Sequence, residues 1–418
     1  MREDRDSMLN LEKSMKLFDR ALEIIPGGTN TNAKRVYNLF DRNFFPAYIE
    51  RGEGAYVWDL DGNKYIDYIA ALAPILLGYN HPRVKRSILE QLAKGTLFSL
   101  PSSNEVELSE LLIEKIPCAE MVKLMKTGAD VTSAAVRAAR LATGKEIILS
   151  CEYHGWHDWW AAKIGEKGVP ACYRQLIYNF EFNNFPQLQQ LADEHDGKIA
   201  CIILTPAAYG VAPKDNFLQQ VRQLAAAHGI VLIFDEIITG FRWALGGAQE
   251  RYGVVPDLAA FGKSMANGMP IAALVGKKEL MQPLQTNLVT TTYASEALSI
   301  AAAIETIHVI DEENIPARVQ ALADRLRTGL ADIADSLPVE INTFDPNPAV
   351  KFEFMLSAAD EKRQLNFAFM KYCTEQGLLI RPDGNGFSLC PIAALSEQDV
   401  SYTIEVFHAA LKNSLSLR

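Results

Sequence analysis

The sequence predicts an α/β fold built on a mainly parallel sheet flanked by helices, with a smaller α+β part drawn from the chain ends. Three observations carry this. Short continuous apolar runs at 147–150, 199–204, 230–234 and 258–261 alternate with helical patterns. Such runs, bounded by turn residues, suit parallel strands buried on both faces. Asp235 ends one of these runs, and Lys263 follows another between Gly262 and Ser264. In open α/β sheets ligands bind outside the carboxyl ends of the strands, which is where both residues fall. Near Asp311 the alternation gives way to long helices separated by isolated strands, which marks a second, mixed part.

In chain order, residues 10–25 place Leu11, Met15, Phe18, Leu22 and Ile25 on one helical stripe, and Pro26-Gly27-Gly28 stops it. A polar, basic connector covers 29–35. Residues 47–68 read as hairpin strands, with Asp61-Gly62 as the turn signal. A further turn spans 78–82, where His81 before proline reads as structural. Helices are expected at 84–94, 105–115 and 131–142, with a strand at 122–125 between the last two. The four apolar strands then alternate with helices at 188–195 and 217–228, and 271–275 reads as one more strand. The tail reads as helix 315–337, strand 350–355, helix 364–376, strand 378–381 and helix 399–412. The expected domains are 1–70, an N-terminal segment joining the small domain; 71–310, the large domain; and 311–418, the rest of the small domain.

Composition narrows the function classes. A chain of 418 residues, 49% hydrophobic and 22% charged, has the make-up of a globular protein with a large core. A net charge of −10 argues against nucleic acid and anionic membranes as partners. The six cysteines (118, 151, 172, 201, 373, 390) form no C-x-x-C pair, and several lie in apolar runs. That favours buried thiols in a reducing compartment over disulfides or zinc. The charged start shows no secretory pattern and no run is long enough to span a bilayer, so the expected location is cytoplasmic.

Four stretches carry chemistry. Asp235 and Lys263 put a carboxylate and an amine at neighbouring strand ends, which suits pyridoxal phosphate. The amine can form the Schiff base and the carboxylate can keep the pyridine nitrogen protonated. Lys126-Thr127-Gly128-Ala129-Asp130 joins a strand to a helix, where exposed N–H groups and the helix dipole suit a phosphate. A helix cap by Thr127 or Asp130 explains the same residues. The run from Cys151 to Trp160 crowds aromatics and histidines at a strand end. There Tyr153 is placed either to stack on a flat cofactor or to form a packed aromatic corner. His154 and His157 lack the further ligands of a zinc site. Thr290 to Ser299 enters an alanine-rich helix, and a hydroxyl there either caps the helix or reaches a phosphate.

Taken in order, seven segments match one family: G-E-G-A-Y-V-W-D-L-D-G-N-K-Y-I-D-Y, L-G-Y-N-H-P, T-G-A-D, Y-H-G-W, F-D-E-I-I-T-G-F-R, F-G-K-S-M-A-N-G and T-T-Y-A-S-E-A-L. The chain resembles the class III pyridoxal-phosphate aminotransferases, in the branch that includes glutamate-1-semialdehyde aminomutase, from about residue 17 to 411. The resemblance implies the type I fold of these transferases. It implies that Lys263 forms the internal aldimine and shuttles protons, and that Asp235 pairs with the pyridine nitrogen. Ile237 and Tyr153 would cover the two ring faces, and Thr127, Gly128 and Ala129 would hold the phosphate. Thr292 would reach the phosphate of a neighbouring subunit, so that the protein works as a homodimer with active sites at the subunit interface.

The departures from the family pattern bear on substrate. Ala129 lacks the usual hydroxyl, and Thr205-Pro206 replaces Glu-Pro. Lys34 and Arg35 sit in Asn30-Thr31-Asn32-Ala33-Lys34-Arg35 where the aminomutase has N-S-P-V-R. Trp156 replaces a histidine, and Glu296 replaces the asparagine usual after the interface threonine. These changes resemble the aminotransferases of sugar and natural-product pathways. The expected activity is transfer of an amino group from a small-molecule amino donor to an aldehyde or ketone acceptor. Lys34, Arg35, Trp156 and Thr205 are the candidates for substrate contact, and a broad pocket lined by Trp156, Trp159 and Tyr153 would suit a bulky carbonyl. Two alternatives stand beside this: a 2,1-aminomutase-type isomerase, and a protein that binds the cofactor without turnover.

Overall fold

The protein is described by a computed structural model that covers residues 9–35, 44–207, 211–344 and 347–416. The first eight residues, which begin the charged start, lie outside these. Contacts divide the chain into two units: 1–72 with 77–81 and 318–418, and 73–76 with 82–317.

The second unit is built on a sheet of strands β1 (Met121–Met125), β2 (Ile147–Ser150), β3 (Ile177–Asn179), β4 (Ile199–Leu204), β5 (Val231–Asp235), β6 (Leu258–Phe261) and β7 (Ala272–Gly276). Their order is β1-β7-β6-β5-β4-β2-β3. Pairings β3 to β2, β2 to β4, β4 to β5 and β5 to β6 are parallel. β7 runs antiparallel to both of its neighbours, β1 and β6. Every residue of β4, β5 and β6 is buried, which is why these strands read as unbroken apolar runs rather than as alternation. The three-residue β3 was not expected from the sequence; Ile-Tyr-Asn is too short to show a period.

Helix Gly128–Thr143 covers this sheet with an alanine-rich face. Ala134, Ala135, Ala138 and Ala139 pack with Ile148, Ile203, Ile233 and Leu274. Small residues there let the helix lie close to the strands. It starts three residues before the expected position 131, so Gly128 and Ala129 belong to its first turn and Thr127 is its N-cap. Helix Ala297–Glu312 is buried on almost every side, which explains its continuous apolar composition.

The first unit holds two smaller sheets. Strands Ile49–Glu53, Tyr56–Asp59 and Lys64–Asp67 form a meander, and Leu378–Leu379 adds to it parallel to Lys64–Asp67. The expected strand 378–381 is thus divided. Arg381–Asp383 leaves for the edge of the other sheet, beside Gly386–Leu389. Pro382 has no N–H for a ladder, and an edge strand is where a sheet tolerates it. The core of this unit is aromatic. Phe352, Phe354, Phe369, Phe387 and Phe407 approach with ring centroids 5.1 to 6.0 Å apart. Burying one such ring contributes about 2–3 kcal/mol.

None of the six cysteines forms a disulfide, and all but Cys172 are buried. Burial pushes the thiols of Cys118, Cys151 and Cys201 up to about 12. Among the described residues no helix is long and apolar enough to cross a membrane.

Candidate active site

The site lies at the carboxyl ends of β5 and β6, two adjacent parallel strands. Asp235 closes β5 opposite Ala260 of β6, and Lys263 follows two residues after β6 ends. Asp235 is 6% exposed. Its Oδ1 accepts the Ile237 N–H at 3.1 Å, and its Oδ2 lies 2.8 Å from His154 Nδ1. A carboxylate can only accept here, so Nδ1 carries the hydrogen of that bond. The other ring nitrogen of His154, Nε2, is buried without a hydrogen-bond partner. The backbone of His154 is fixed as well, because its carbonyl accepts from Thr132 Oγ1 at 2.7 Å. Sequence reasoning placed His154 in an aromatic corner and missed it as the partner of Asp235. The only signal was its position beside Tyr153 at a strand end.

Lys263 opens a one-turn helix, Lys263–Ala266, with φ of 41°. A left-handed conformation strains a residue with a side chain, so its surroundings must hold it. Met265 N–H donates to the Gly262 carbonyl at 3.0 Å, and Ser264 Oγ donates to the Ala73 carbonyl at 3.2 Å. The Ala73 carbonyl also accepts from Arg242, whose Nη2 reaches the Ile75 carbonyl too, both at 3.2 Å. Asn267 Oδ1 accepts the Leu76 N–H at 2.9 Å. The fully buried Arg242 thus ties the segment after β5 to the strand of chain that braces Lys263.

Ile237 stands between the two strand ends and the Gly128–Thr143 helix. A Cβ placed on Gly262 would lie 3.1 Å from it, and one on Gly128 would lie 3.5 Å away. At the helix start Thr127 Oγ1 accepts the Asp130 N–H at 3.1 Å, and the Asp130 carboxylate accepts the Thr127 N–H at 2.9 Å. This reciprocal cap uses the Asp130 N–H and leaves those of Gly128 and Ala129 ahead of the first intrahelical acceptor. The capping explanation of Thr127 is therefore fulfilled. The cap does not exhaust Thr127, because a hydroxyl that accepts one bond keeps its own hydrogen to donate.

Tyr153 is 63% exposed and meets the edge of Trp160 at 4.7 Å between centroids. Partial desolvation, and then the Asp235 charge, raise its phenol above the ordinary range. Gly155 brings this loop onto the helix start: a Cβ built there would lie 2.8 Å from Ala129 Cβ. Trp156 is exposed and edges on His157 at 4.9 Å. Trp159 does not line an open pocket as expected. It is buried in the core and its indole donates to Ser133 Oγ at 2.8 Å. Thr205 is buried directly after β4. Thr292 is exposed in the turn ahead of helix Ala297–Glu312. Lys34 and Arg35 belong to the other unit. Arg35 there donates to the Pro26 carbonyl at 3.5 Å, and Lys34 is exposed.

Glu236, next to Asp235, serves the fold. It is fully buried, and burial pushes its carboxyl up to about 7 despite hydrogen bonds from Thr239 and the N–H groups of Ala248 and Gln249. It anchors the start of helix Ala248–Tyr252.

This donor set fits pyridoxal phosphate. A buried carboxylate with a fixed second partner suits a ring nitrogen, a strained lysine lies at the neighbouring strand end, and unbonded N–H groups at a helix start suit a phosphate.

Comparison with known proteins gives the same answer. The family model for aminotransferase class-III matches residues 37–411. The 3-aminobutyryl-CoA aminotransferase of Cloacimonas acidaminovorans is 36% identical, over 96% of this chain and 97% of that protein. Glutamate-1-semialdehyde 2,1-aminomutase 2 of Brevibacillus brevis is 34% identical, over 97% of this chain and 100% of that protein. The FumI protein of Sphingopyxis sp. MTA144, solved in its PLP internal aldimine form, superposes with a TM-score of 0.89 at 29% identity, over 96% of each chain. With nearly its whole length matched, the chain belongs to the class III aminotransferases, enzymes that depend on pyridoxal phosphate.

Proposed function

We propose that the unit spanning 73–76 and 82–317 holds the cofactor and that Lys263 is the amine that tethers it. The observation that supports this most is the placement of Lys263 and Asp235 at the ends of adjacent parallel strands with Ile237 beside them. Thr127, Gly128 and Ala129 would hold the phosphate through a hydroxyl and two backbone N–H groups. Asp235 would keep a proton on the ring nitrogen, oriented by His154. Ile237 and Tyr153 would flank the ring.

When bound, the cofactor supplies an electron sink for the carbon that carries the substrate's amine. The residues of this chain then handle the proton. Lys263 Nζ would accept the proton from that carbon and later donate it back. Asp235 is held in place by two contacts, its oxygens accepting from Ile237 N–H and His154.

The reaction is transfer from an amino donor to a carbonyl acceptor in a homodimer, with Thr292 reaching the phosphate held by the partner subunit. Exposed Trp156 and Tyr153 would meet a bulky acceptor, with Thr205 as a further substrate contact. Five buried cysteines that form no disulfide accord with a cytoplasmic location. The Cloacimonas relative is named for a substrate with its amine on the β carbon of an acyl-CoA, so β-amino acyl thioesters belong among the donors tried.

The test is a donor panel given to the holoenzyme without acceptor. One equivalent of carbonyl product per site is expected from an accepted donor, followed by return of the amine to an added acceptor. An aminomutase reading draws on the Brevibacillus relative, and that isomerase would release no stoichiometric carbonyl product. Failure of every amine to react would leave a cofactor-binding protein without turnover.

A further inference from the structure

Residues 288–296 form a loop held at both ends, with Val289 buried and the turn at 292–295 partly exposed. Leu288 is 85% and Tyr293 59% exposed, and Thr292 is exposed between the two ends. At one end Arg137 Nη1, on helix Gly128–Thr143, donates to the Leu288 carbonyl at 2.9 Å. At the other end Lys126 Nζ meets the Glu296 carboxylate at 3.0 Å, with the two side chains only 13% and 18% exposed. Lys126 directly precedes Thr127. One tie therefore comes from the helix that begins with the phosphate cradle, and the other from the residue just before that cradle.

Glu296 does two things at once. Its carboxylate accepts the Leu298 and Ser299 N–H groups at 2.7 and 3.1 Å, capping helix Ala297–Glu312. It also receives the Lys126 ammonium. Burial alone would raise its carboxyl; the bonds from Ser299, Lys126 and Leu298 outweigh that and hold it below the usual range. A cap needs no lysine. Asparagine would serve as well at an N-cap, so the ion pair is a feature that capping leaves unexplained.

We infer that Lys126 and Glu296 are positioning residues for the cofactor phosphate: their ion pair locks the cradle of residues 127–129 to the turn that carries Thr292. This rests on the reading of Thr127, Gly128 and Ala129 as the phosphate site. Each subunit's own cradle and the hydroxyl it lends to its partner are then set by one largely shielded contact. The ammonium is committed to Glu296 rather than to the phosphate.

Two variants separate this from its rivals. Glu296→Asn keeps an N-cap and breaks the ion pair, while leaving the Lys126 charge beside the cradle. Lys126→Met breaks the pair and leaves the cap. Pyridoxal phosphate binding to the apoprotein, followed by absorbance, is measured alongside Tm. Both variants should bind the cofactor about 10-fold more weakly, the scale of one charged hydrogen bond that orders a loop, with the apoprotein Tm nearly unchanged. If Lys126 attracted the phosphate only by charge, Glu296→Asn would bind more tightly, because its counter-charge is gone. Tighter or unchanged binding in Glu296→Asn overturns the inference, as does unchanged binding in Lys126→Met. Wild-type apoprotein that takes up no cofactor overturns the reading of the site itself, and the inference with it.

Discussion

Gly155→Ala tests how closely the Tyr153 loop is fitted to the start of helix Gly128–Thr143, the proposed phosphate cradle. Gly155 has φ of +113°, and a Cβ there would lie 2.8 Å from Ala129 Cβ and 2.9 Å from Ala129 Cα. Two terms add. An alanine held at that φ is strained by about 1–3 kcal/mol. Forcing a methyl against backbone in a packed site adds about 1–3 kcal/mol. The sum centres on about 4 kcal/mol, a large share of the stability of an ordinary domain. Any relief must move Ala129, the second residue of its helix, so cofactor affinity should fall together with stability. Urea unfolding of the apoprotein and cofactor titration measure the two effects. Adding Ala129→Gly removes the clash between the two methyl groups. It leaves the φ strain and the crowding against the backbone of residue 129, so about 1 kcal/mol should return as coupling between the sites. A Gly155→Ala protein with wild-type midpoint and wild-type affinity would refute this packing.

Three further outcomes follow from the same structure. His154→Phe leaves Asp235 Oδ2 without its partner; a hydrogen bond to a charged group contributes about 1.5–3 kcal/mol. Cofactor affinity or the donor half-reaction should therefore fall about 10- to 100-fold, and an unaltered protein would dismiss His154 as an orienting group. Thr292→Val should weaken cofactor retention without lowering apoprotein Tm, and equal retention on gel filtration would argue against a subunit-crossing hydroxyl. Asp257 is buried at the start of β6, where it accepts from Lys277 at 2.7 Å, Leu232 N–H at 2.8 Å and Arg222 at 2.9 Å. Burial alone would raise its carboxyl, but these three partners together hold it below its ordinary value of 3.8. A depressed carboxyl stabilises the fold above the unfolded value and loses that contribution as pH falls through the folded one. Asp257→Asn should thus lose about 3 kcal/mol at neutral pH, with the gap to wild type closing below about pH 4. Urea midpoints that differ equally at both pH values would contradict this.

The central strands were legible because β4, β5 and β6 are buried on both faces, so burial wrote itself into the chain as unbroken apolar runs. Asp235 and Lys263 were legible for a related reason: a charged residue that breaks such a run must emerge at a strand end. Other features depend on partners far away in sequence. His154 meets Asp235 across 81 positions and Lys126 meets Glu296 across 170, and no local period records either. The Trp159 side chain turned inward because Ser133 satisfies its indole, which composition around Tyr153 could not show. Residues Ala70 to Ala73 all adopt positive φ, between 50° and 82°, in a stretch of alanine and leucine with no glycine to announce it. The Asp67 carboxylate, which accepts the Ile69 N–H at 2.7 Å, helps to hold its start. The boundaries of helix Gly128–Thr143 were misjudged because glycine and threonine look like loop residues until their capping bonds are seen.

The central claim is that Lys263 carries the cofactor. Borohydride treatment of the holoenzyme, followed by peptide mass mapping, reads the attachment point directly. The account predicts one pyridoxyl phosphate per chain, on the peptide containing Lys263, and none on that peptide in Lys263→Ala. The added mass on another lysine, such as the half-buried Lys163 whose amine burial pushes below the ordinary range, would contradict it.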